Sequence, residues 1–297
     1  MLTITSGKVK RPILMTLYGV ESIGKTEFCT KFPDPLFIDY EGGSERYDVK
    51  RVRPEGYFEV KEFLSNPKNV EGFKTVIIDS MDWLERAMHK DMCARAKVDT
   101  IQDLGGYGKW VNVVLGEANS FVEVLKKLRK ETNVNIILTA HYQIKTFNDP
   151  ITHAPYDRYQ MKLDAKFSDI IREWVDMVLF ANFETHSKTT SSSDKKGKGV
   201  GTGMRLFYTE KRPAHDAKNR FGLPYQMPLD YETLMSYLDQ AKEDQVRDLC
   251  QDIDALILDL KDPDLLAKVT DHYNKNKTNL EALRGIKNRL LTITQGE

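Results

Sequence analysis

Residues 19 to 26 read Gly-Val-Glu-Ser-Ile-Gly-Lys-Thr, which fits the phosphate-binding pattern GxxxxGK[ST]. In this pattern the backbone N–H groups form a concave nest for phosphate oxygens, and the glycines allow unusual backbone angles. The Lys25 ammonium reaches the β- and γ-phosphates, and the Thr26 hydroxyl coordinates Mg²⁺. The predicted nucleotide-binding residues of this loop are Gly19, Val20, Glu21, Ser22, Ile23, Gly24, Lys25 and Thr26.

An acid at position 79 ends the apolar segment Thr-Val-Ile-Ile-Asp that begins at Thr75. In P-loop ATPases an acid in this place holds Mg²⁺. The alternative is a core strand followed by a helix cap, because Asp79 and Ser80 are both good N-caps. The presence of the phosphate loop in the same chain favours the metal role. We therefore predict ATP and Mg²⁺ as cofactors, with Thr26 and Asp79 as the metal-binding residues.

Glu41 lies just past another apolar segment, Phe37-Ile38-Asp39, which follows the phosphate loop in the chain. ATP hydrolysis needs a group near the γ-phosphate that orients the attacking water, and a carboxylate serves that purpose. A solvated turn residue is the structural alternative. The position after a strand predicts a catalytic role for Glu41, together with Lys25 of the phosphate loop.

Apolar segments that alternate with helical spacing indicate the elements that position these residues. The predicted strands are Pro12–Tyr18, Leu36–Asp39, Thr75–Asp79, Val134–Ala140, Val175–Ala181 and Met204–Thr209. The predicted helices of this region are Lys25–Lys31, Met81–Lys97 and Trp110–Lys130. Strands that alternate with helices predict an α/β fold with a mostly parallel sheet. Residues 142–168 lack a clear periodicity, and residues 187–203 are rich in Ser, Lys and Gly, which predicts two loops.

Composition narrows the class of protein without naming a partner. Lys plus Arg and Asp plus Glu are 44 each, so the overall charge favours neither acidic nor basic partners. Three cysteines without a CxxC pair argue against a zinc site or a disulfide framework, and no apolar run reaches membrane-spanning length. We expect a soluble cytoplasmic protein with a core at residues 1–230 and a helical region at residues 231–297.

The order of these motifs resembles the RecA-like recombinase core. More closely, it resembles the phage nucleotide-binding proteins that act as short RecA-like single-strand annealing ATPases. The likeness covers about residues 11–225 and rests on Gly19–Thr26, Phe37–Gly43, Thr75–Ser80 and Ile136–His141. It implies a RecA-like P-loop core, with a mostly parallel sheet flanked by helices, and a small C-terminal helical appendage.

The resemblance also implies roles for single residues. RecA-like ATPases carry the catalytic glutamate at the end of the strand after the phosphate-loop helix, which is Glu41 in this chain. AAA+ enzymes place it directly after the magnesium-binding acid, where this chain has Ser80. The polar residue that senses the γ-phosphate would be His141, where RecA has glutamine. A satisfied histidine at a strand end is the alternative for His141.

Two DNA-contacting loops follow from the same resemblance, at Leu104–Trp110 and at about Tyr142–Lys166. Cations in such loops follow phosphates, and aromatic rings stack on bases without strong sequence preference. The alternative is an ordinary surface loop with its own aromatic cluster. The DNA-binding candidates are Tyr107, Lys109, Lys145, Arg158, Lys162 and Lys166.

RecA-like assemblies place ATP between subunits, and the neighbouring subunit contributes cations to the site. The resemblance therefore implies a homo-oligomer. The candidates for the trans-acting cation are Lys211, Arg212 and Arg220. A solvated basic face or further DNA contacts are the alternatives for each of them.

The leading hypothesis is an ATP-dependent single-stranded DNA-binding protein of phage recombination or annealing, acting in the host cytoplasm. Its expected partners are single-stranded DNA, further copies of the chain, and a single-strand-binding protein or other recombination partner, with no membrane. One rival is a RecA-like motor or helicase-loader-type ATPase of DNA replication or packaging. The other is a nucleotide-dependent assembly switch that does not bind DNA.

Overall fold

The computed structural model describes residues 11–150, 154–188, 198–258, 260, 262–277 and 279–294. Contacts within the chain define a large unit from Pro12 to Thr233 and a second unit that includes residues 234–294. The predicted division into residues 1–230 and 231–297 stays a prediction. All the predicted site residues lie in the large unit.

Strands and helices alternate through most of the large unit, as the spacing of its apolar segments predicts. The strands are β1 (Leu14–Gly19), β2 (Pro35–Asp39), β3 (Lys50–Val52), β4 (Thr75–Asp79), β5 (Asn135–Phe147), β6 (Tyr156–Met161), β7 (Met177–Lys188), β8 (Lys198–Tyr208), β9 (Lys218–Asn219) and β10 (Gln226–Pro228). The helices of the chain are α1 (Lys25–Cys29), α2 (Tyr57–Ser65), α3 (Met81–Ala96), α4 (Trp110–Thr132), α5 (Ala165–Trp174), α6 (Tyr231–Leu258), α7 (Pro263–Lys275) and α8 (Leu280–Thr294).

The sheet has the order β10-β8-β7-β1-β5-β4-β2-β3, with β6 beside β5 and β9 beside β7. The pairs that lead from β7 through β1, β5, β4 and β2 to β3 are parallel. Strands β6, β8, β9 and β10 run antiparallel to their partners. The predicted α/β architecture, with a mostly parallel sheet and flanking helices, is confirmed.

The parallel register brings the candidate site residues to one edge of the sheet. Gly19 at the end of β1 is level with His141 of β5, and Asp39 at the end of β2 is level with Asp79 of β4. Strand β5 lies between β1 and β4. The phosphate loop and Asp79 therefore face each other across β5.

Helices cover the sheet on both faces. One face packs against α2 to α5 in a core that includes Tyr18, Phe121 and Phe180. Neighbouring strand residues point to opposite faces, and on the other face Phe28 of α1 meets Phe207 of β8, with ring centroids 5.0 Å apart. Because both faces are covered, the parallel strands read as almost continuous apolar segments.

Two segments that were predicted as loops contain regular structure. Residues 142–168 hold the second half of β5, strand β6 and the start of α5, so Tyr142 pairs with Met161 and Phe147 with Tyr156 in an antiparallel hairpin. Of residues 187–203, the ends of β7 and β8 take up 187–188 and 198–203, and residues 189–197 lie outside the described part. The loop prediction for residues 142–168 was wrong because polar side chains on exposed hairpin strands hide the strand alternation. The loop prediction for residues 187–203 was wrong at 187–188 and 198–203.

The second unit is helical, as predicted. Its buried cluster consists of Ile253, Tyr273, Leu283, Ile286 and Leu290. An Asp at position 262 caps α7, because its Oδ1 accepts a hydrogen bond from Asp264 N at 2.9 Å. Across the described residues, no helix combines the length and the apolar character needed to cross a membrane.

Gly19 permits the close approach of β1 and β7. A Cβ atom at this position would lie 2.2 Å from the carbonyl oxygen of Ala181. We predict that Gly19→Ala lowers the free energy of unfolding by about 1–3 kcal/mol, because the strands must move apart. Urea denaturation measures the change. The matched control is Gly116→Ala in α4, where a Cβ meets nothing within 4 Å; it should stabilise the protein by about 0.5–1 kcal/mol. Equal effects of the two variants would contradict the prediction.

Candidate nucleotide-binding site

The phosphate loop closes around the side chain of Lys25. Ser22 and Gly24 adopt left-handed backbone angles, with φ of 59° and 105°. Lys25 is 8% exposed, and its Nζ donates to the carbonyl oxygens of Gly19 and Val20 at 3.1 Å each. Burial lowers the pKa of the Lys25 ammonium, and nearby carboxylates oppose this effect. The loop therefore holds a desolvated cation at the centre of the predicted phosphate nest.

Asp79 joins the phosphate loop to the middle of the sheet. Its Oδ2 accepts from Thr26 Oγ1 at 2.8 Å, and its Oδ1 accepts from Thr139 Oγ1 of β5 at 2.6 Å. Burial raises the pKa of Asp79, and the two threonine hydrogen bonds oppose that rise. The carboxylate and the Thr26 hydroxyl form a pair of oxygen donors of the kind that Mg²⁺ prefers.

Asp39 fixes the turn that carries Glu41. Its Oδ1 accepts from the backbone N–H groups of Glu41 at 3.1 Å and Gly42 at 2.8 Å. Its Oδ2 accepts from the backbone N–H of Ser44 at 3.0 Å. Burial alone would raise the pKa of Asp39, but the hydrogen bonds from Ser44, Gly42 and Glu41 outweigh it and lower the pKa. The turn after β2 is therefore held in one conformation.

Glu41 lies against Ser80, which follows β4, and close to His141 of β5. The Ser80 hydroxyl contacts Glu41 Oε1, and His141 Nε2 lies 3.6 Å from Glu41 Oε2. Burial raises the pKa of Glu41, although Ser80 and His141 oppose the rise. A carboxylate with a raised pKa is a better proton acceptor. Glu41, in the turn after β2, thus lies beside Ser80, the position where AAA+ enzymes carry their acid.

Asp82, in the first turn of α3, completes the group and was missed in the sequence. Its carboxylate accepts from the His141 backbone N–H at 3.0 Å, and Oδ2 lies 3.0 Å from His141 Nδ1. Burial alone would raise the pKa of Asp82, but these hydrogen bonds outweigh burial and lower the pKa to about 2. The same contact raises the pKa of His141. Asp82 therefore orients the imidazole so that Nε2 points toward Glu41.

Glu41, Asp82 and His141 also offer three ligand atoms within 4.8 Å of one another, a spacing that could hold a metal ion. The contact between Asp82 and His141 Nδ1 has the length of a hydrogen bond, however. A histidine that donates Nδ1–H to a carboxylate keeps only Nε2 for another partner. We therefore interpret the three residues as a carboxylate–imidazole–carboxylate relay.

Five of the six DNA-binding candidates are exposed. They lie before α4, on β5, between β6 and α5, and in the first turn of α5, and they are Tyr107, Lys109, Lys145, Lys162 and Lys166. Strand β5 runs without interruption from His141, at the nucleotide edge, to Lys145 in the hairpin. The hairpin is therefore a direct extension of a strand of the candidate site.

Arg158 differs from the other candidates because it is only 5% exposed. Its Nε donates to Pro213 O at 2.9 Å, its Nη2 donates to the Tyr156 hydroxyl at 2.6 Å, and its guanidinium lies 4.0 Å from the Phe147 ring centroid. These contacts assign it a structural role within the large unit. Arg158 is therefore not part of the surface that DNA could reach.

The three trans-acting candidates form ion pairs within their own chain. Lys211 Nζ lies 3.8 Å from Asp216, Arg212 Nη2 lies 3.0 Å from Glu210, and Arg220 Nη1 lies 3.0 Å from Asp176. Asp176 precedes β7, so Arg220 lies at the edge of the sheet opposite the phosphate loop. All three side chains are more than half exposed. Their role toward a neighbouring subunit stays a prediction.

Arg205 of β8 is the cation that lies against the phosphate loop in the same chain. Its Nη1 is 3.2 Å from Glu27 Oε2 and 3.4 Å from Ile23 O. A Cβ on Gly24 would lie 2.6 Å from the same nitrogen. Arg205 and Ile23 are 182 positions apart in the chain. The local sequence therefore gives no sign of this contact.

Comparison with known proteins places the large unit in a family. A family model described as an AAA domain matches residues 11–221. The chain is 26% identical over 104 residues to the SPbeta prophage-derived uncharacterized protein YorG of Bacillus subtilis (strain 168), an alignment that covers 33% of this chain and 32% of YorG. It thus spans about a third of that relative. The crystal structure of the RadB recombinase has a TM-score of 0.40 and 14% identity, over 72% of this chain and 84% of RadB.

We predict that Asp82→Asn lowers the pKa of His141. Without the Asp82 carboxylate, burial of the imidazole is opposed mainly by Glu41, and the protonated form loses its strongest partner. An NMR titration of the imidazole protons measures the pKa. In the wild-type protein the pKa of His141 is raised above its ordinary value, so the stabilising contribution of the imidazole is present at low pH and is lost as the pH rises through that raised pKa. The exposed Asp99→Asn is the control, and an unchanged His141 pKa in Asp82→Asn would refute the relay.

Proposed function

The chain belongs to the AAA domain family, and on that premise we propose that it is an ATPase that binds single-stranded DNA in phage recombination or annealing. One observation carries the proposal: β5 links the predicted γ-phosphate sensor, His141, to the β5–β6 hairpin that bears the exposed Lys145. ATP hydrolysis and DNA binding would therefore both act on strand β5. The similarity to a prophage-derived protein supports the phage setting.

ATP would lie in the phosphate loop. The buried Lys25 ammonium, bonded to two loop carbonyls, has the position from which it can exchange those oxygens for phosphate oxygens. The donors Thr26 and Asp79, 2.8 Å apart, fit Mg²⁺. A bound Mg²⁺ would neutralise charge that develops on the phosphate oxygens.

Glu41 would orient the attacking water and accept its proton. Ser80 holds Glu41 Oε1 in place, and the hydroxyl carries a single hydrogen, so it donates to Glu41 or to Asp82 at one time. His141, held by Asp82, would donate from Nε2 to the γ-phosphate. Loss of that phosphate would then be felt on β5 through the imidazole.

DNA would follow the exposed cations around the hairpin. Lys145 lies on β5, Lys162 follows β6, and Lys166 lies in the first turn of α5, and all three residues are exposed to solvent. Tyr107, fully exposed before α4, would stack on a base. We also propose that the protein forms homo-oligomers with ATP between subunits, where Lys211, Arg212 or Arg220 would reach the neighbour's site.

The test of the function is ATP turnover with and without single-stranded DNA. We expect Glu41→Gln to lower turnover by about 100-fold or more while nucleotide binding persists, because it removes the general base and keeps the shape. The control is Glu45→Gln, a more exposed glutamate of the same loop that pairs with Arg53. Normal turnover in Glu41→Gln would show that the acid is elsewhere. Turnover indifferent to DNA would refute the recombination role.

We predict that joint replacement of Lys145, Lys162 and Lys166 by Ala weakens single-stranded DNA binding. The slope of log K against log salt should become shallower by about 0.7 for each phosphate that is no longer neutralised by a lysine. Fluorescence anisotropy at several salt concentrations measures the slope. The control is Lys127→Ala, an equally exposed lysine near the end of α4 and thus toward the opposite edge of the sheet. An unchanged slope in the triple variant would place the DNA elsewhere.

A further inference from the structure

A cleft rich in aromatic side chains lies beside β7 and β8. Its volume is about 610 Å³, within the range of small-ligand sites. The side chains that line it include Tyr159, Phe180, Tyr208, Arg212, His215 and Tyr225. Phe180 and His215 are buried at 1% and 4% exposure, whereas Tyr225 is 36% exposed. The cleft therefore has a buried aromatic floor and an open aromatic rim.

Four of these rings have similar orientations. The planes of Tyr159 and Phe180 differ by 28°, those of Phe180 and His215 by 24°, and those of His215 and Tyr225 by 21°. The successive centroids are 5.0, 5.4 and 6.2 Å apart. A further flat ring placed parallel to the outermost of them, Tyr225, would extend this series. This geometry favours a planar aromatic ligand over a branched aliphatic one.

Charge at the rim favours a ligand that also carries a negative charge. The Arg212 guanidinium lies 4.5 Å from the Tyr225 ring centroid and pairs with Glu210, and its side chain is 51% exposed. The Lys211 ammonium is 60% exposed and lies 3.8 Å from Asp216. Lys211 precedes Arg212 in the chain, and Arg212 is the cation that lines the cleft itself. A planar ring joined to a phosphate matches an exposed guanidinium beside an aromatic floor.

The segment that lines the cleft is hydrogen-bonded to the β5–β6 hairpin. Tyr159 belongs to β6, its N–H donates to Ala214 O at 2.8 Å, and its carbonyl accepts from Asp216 N at 3.1 Å. The neighbouring Arg158 donates to Pro213 O at 2.9 Å. These bonds fix the segment that holds Arg212 and His215 to the hairpin. A DNA strand bound along the hairpin would therefore pass next to the cleft.

We propose that this cleft binds one base of single-stranded DNA, turned out of the strand and stacked against Tyr225, while Arg212 contacts an adjacent phosphate. The inference rests on the proposed function and adds a site to it. The hydroxyls of Tyr208 and Tyr225 would bond the polar edge of the base. This assignment takes Arg212 as a DNA contact rather than as a trans-acting cation.

The test compares the affinity of the full chain for a fluorescein-labelled oligothymidylate and for a fully abasic strand of equal length. Tyr225→Ala should weaken binding of the oligothymidylate by about five-fold or more, because stacking is removed. It should leave the affinity for the abasic strand and the salt dependence unchanged. Tyr225→Phe, which keeps the ring, should retain most of the stacking. The control is Tyr237→Ala, an equally exposed tyrosine of α6 at 41% exposure.

Each contrary result has one meaning. If Tyr225→Ala binds the oligothymidylate as the wild type does, the cleft assignment is wrong and the proposed function stands. If the wild type binds neither strand, the proposed function fails and the cleft assignment fails with it. If free thymidine monophosphate binds the wild type and not Tyr225→Ala while strand affinity is unaffected, the cleft takes a free nucleotide and the DNA assignment is overturned. Thermal melting of each variant verifies that it is folded.

Discussion

The hydrogen bond between Thr26 and Asp79 ties the phosphate loop to a strand that is not its neighbour in the sheet. Strand β5 lies between them and supplies Thr139, which holds the second oxygen of Asp79 at 2.6 Å. The carboxylate is therefore fixed from two sides and is only 4% exposed. A shift of β1, β4 or β5 would break one of these bonds. The geometry of the whole edge depends on the register of these three strands.

Bringing four carboxylates to one edge has an electrostatic consequence. Burial raises the pKa of Asp79 and Glu41, and the charge of a neighbouring acid raises each of these pKa values further. Donors reduce the repulsion at Asp39 and Asp82, whose pKa values are lowered by backbone and side-chain hydrogen bonds. The acids are thus divided into two whose pKa is lowered and two whose pKa is raised. Such a division suits Glu41 to accept a proton from water.

Local sequence predicted the elements near the phosphate loop well and the longer-range contacts poorly. The run Thr75–Asp79 is β4 without error, because apolar residues buried on both faces end abruptly at a charge. Asp82 looked like an ordinary acid in a first helical turn, and only the fold places it against His141, 59 residues away. Arg158 looked like a loop cation, although Pro213 and Tyr156 enclose it. The family match over residues 11–221 confirms the predicted P-loop ATPase core.

The most direct test of the central claim, that Glu41 in the turn after β2 is the water-orienting acid, is a crystal structure with Mg²⁺ and a slowly hydrolysed ATP analogue. The γ-phosphate is expected within hydrogen-bond distance of Lys25 Nζ and His141 Nε2. A water molecule should lie between that phosphate and the Glu41 carboxylate, with Asp82 still bonded to Nδ1. A γ-phosphate in the loop with Glu41 turned away, and another acid holding the water, would contradict the claim.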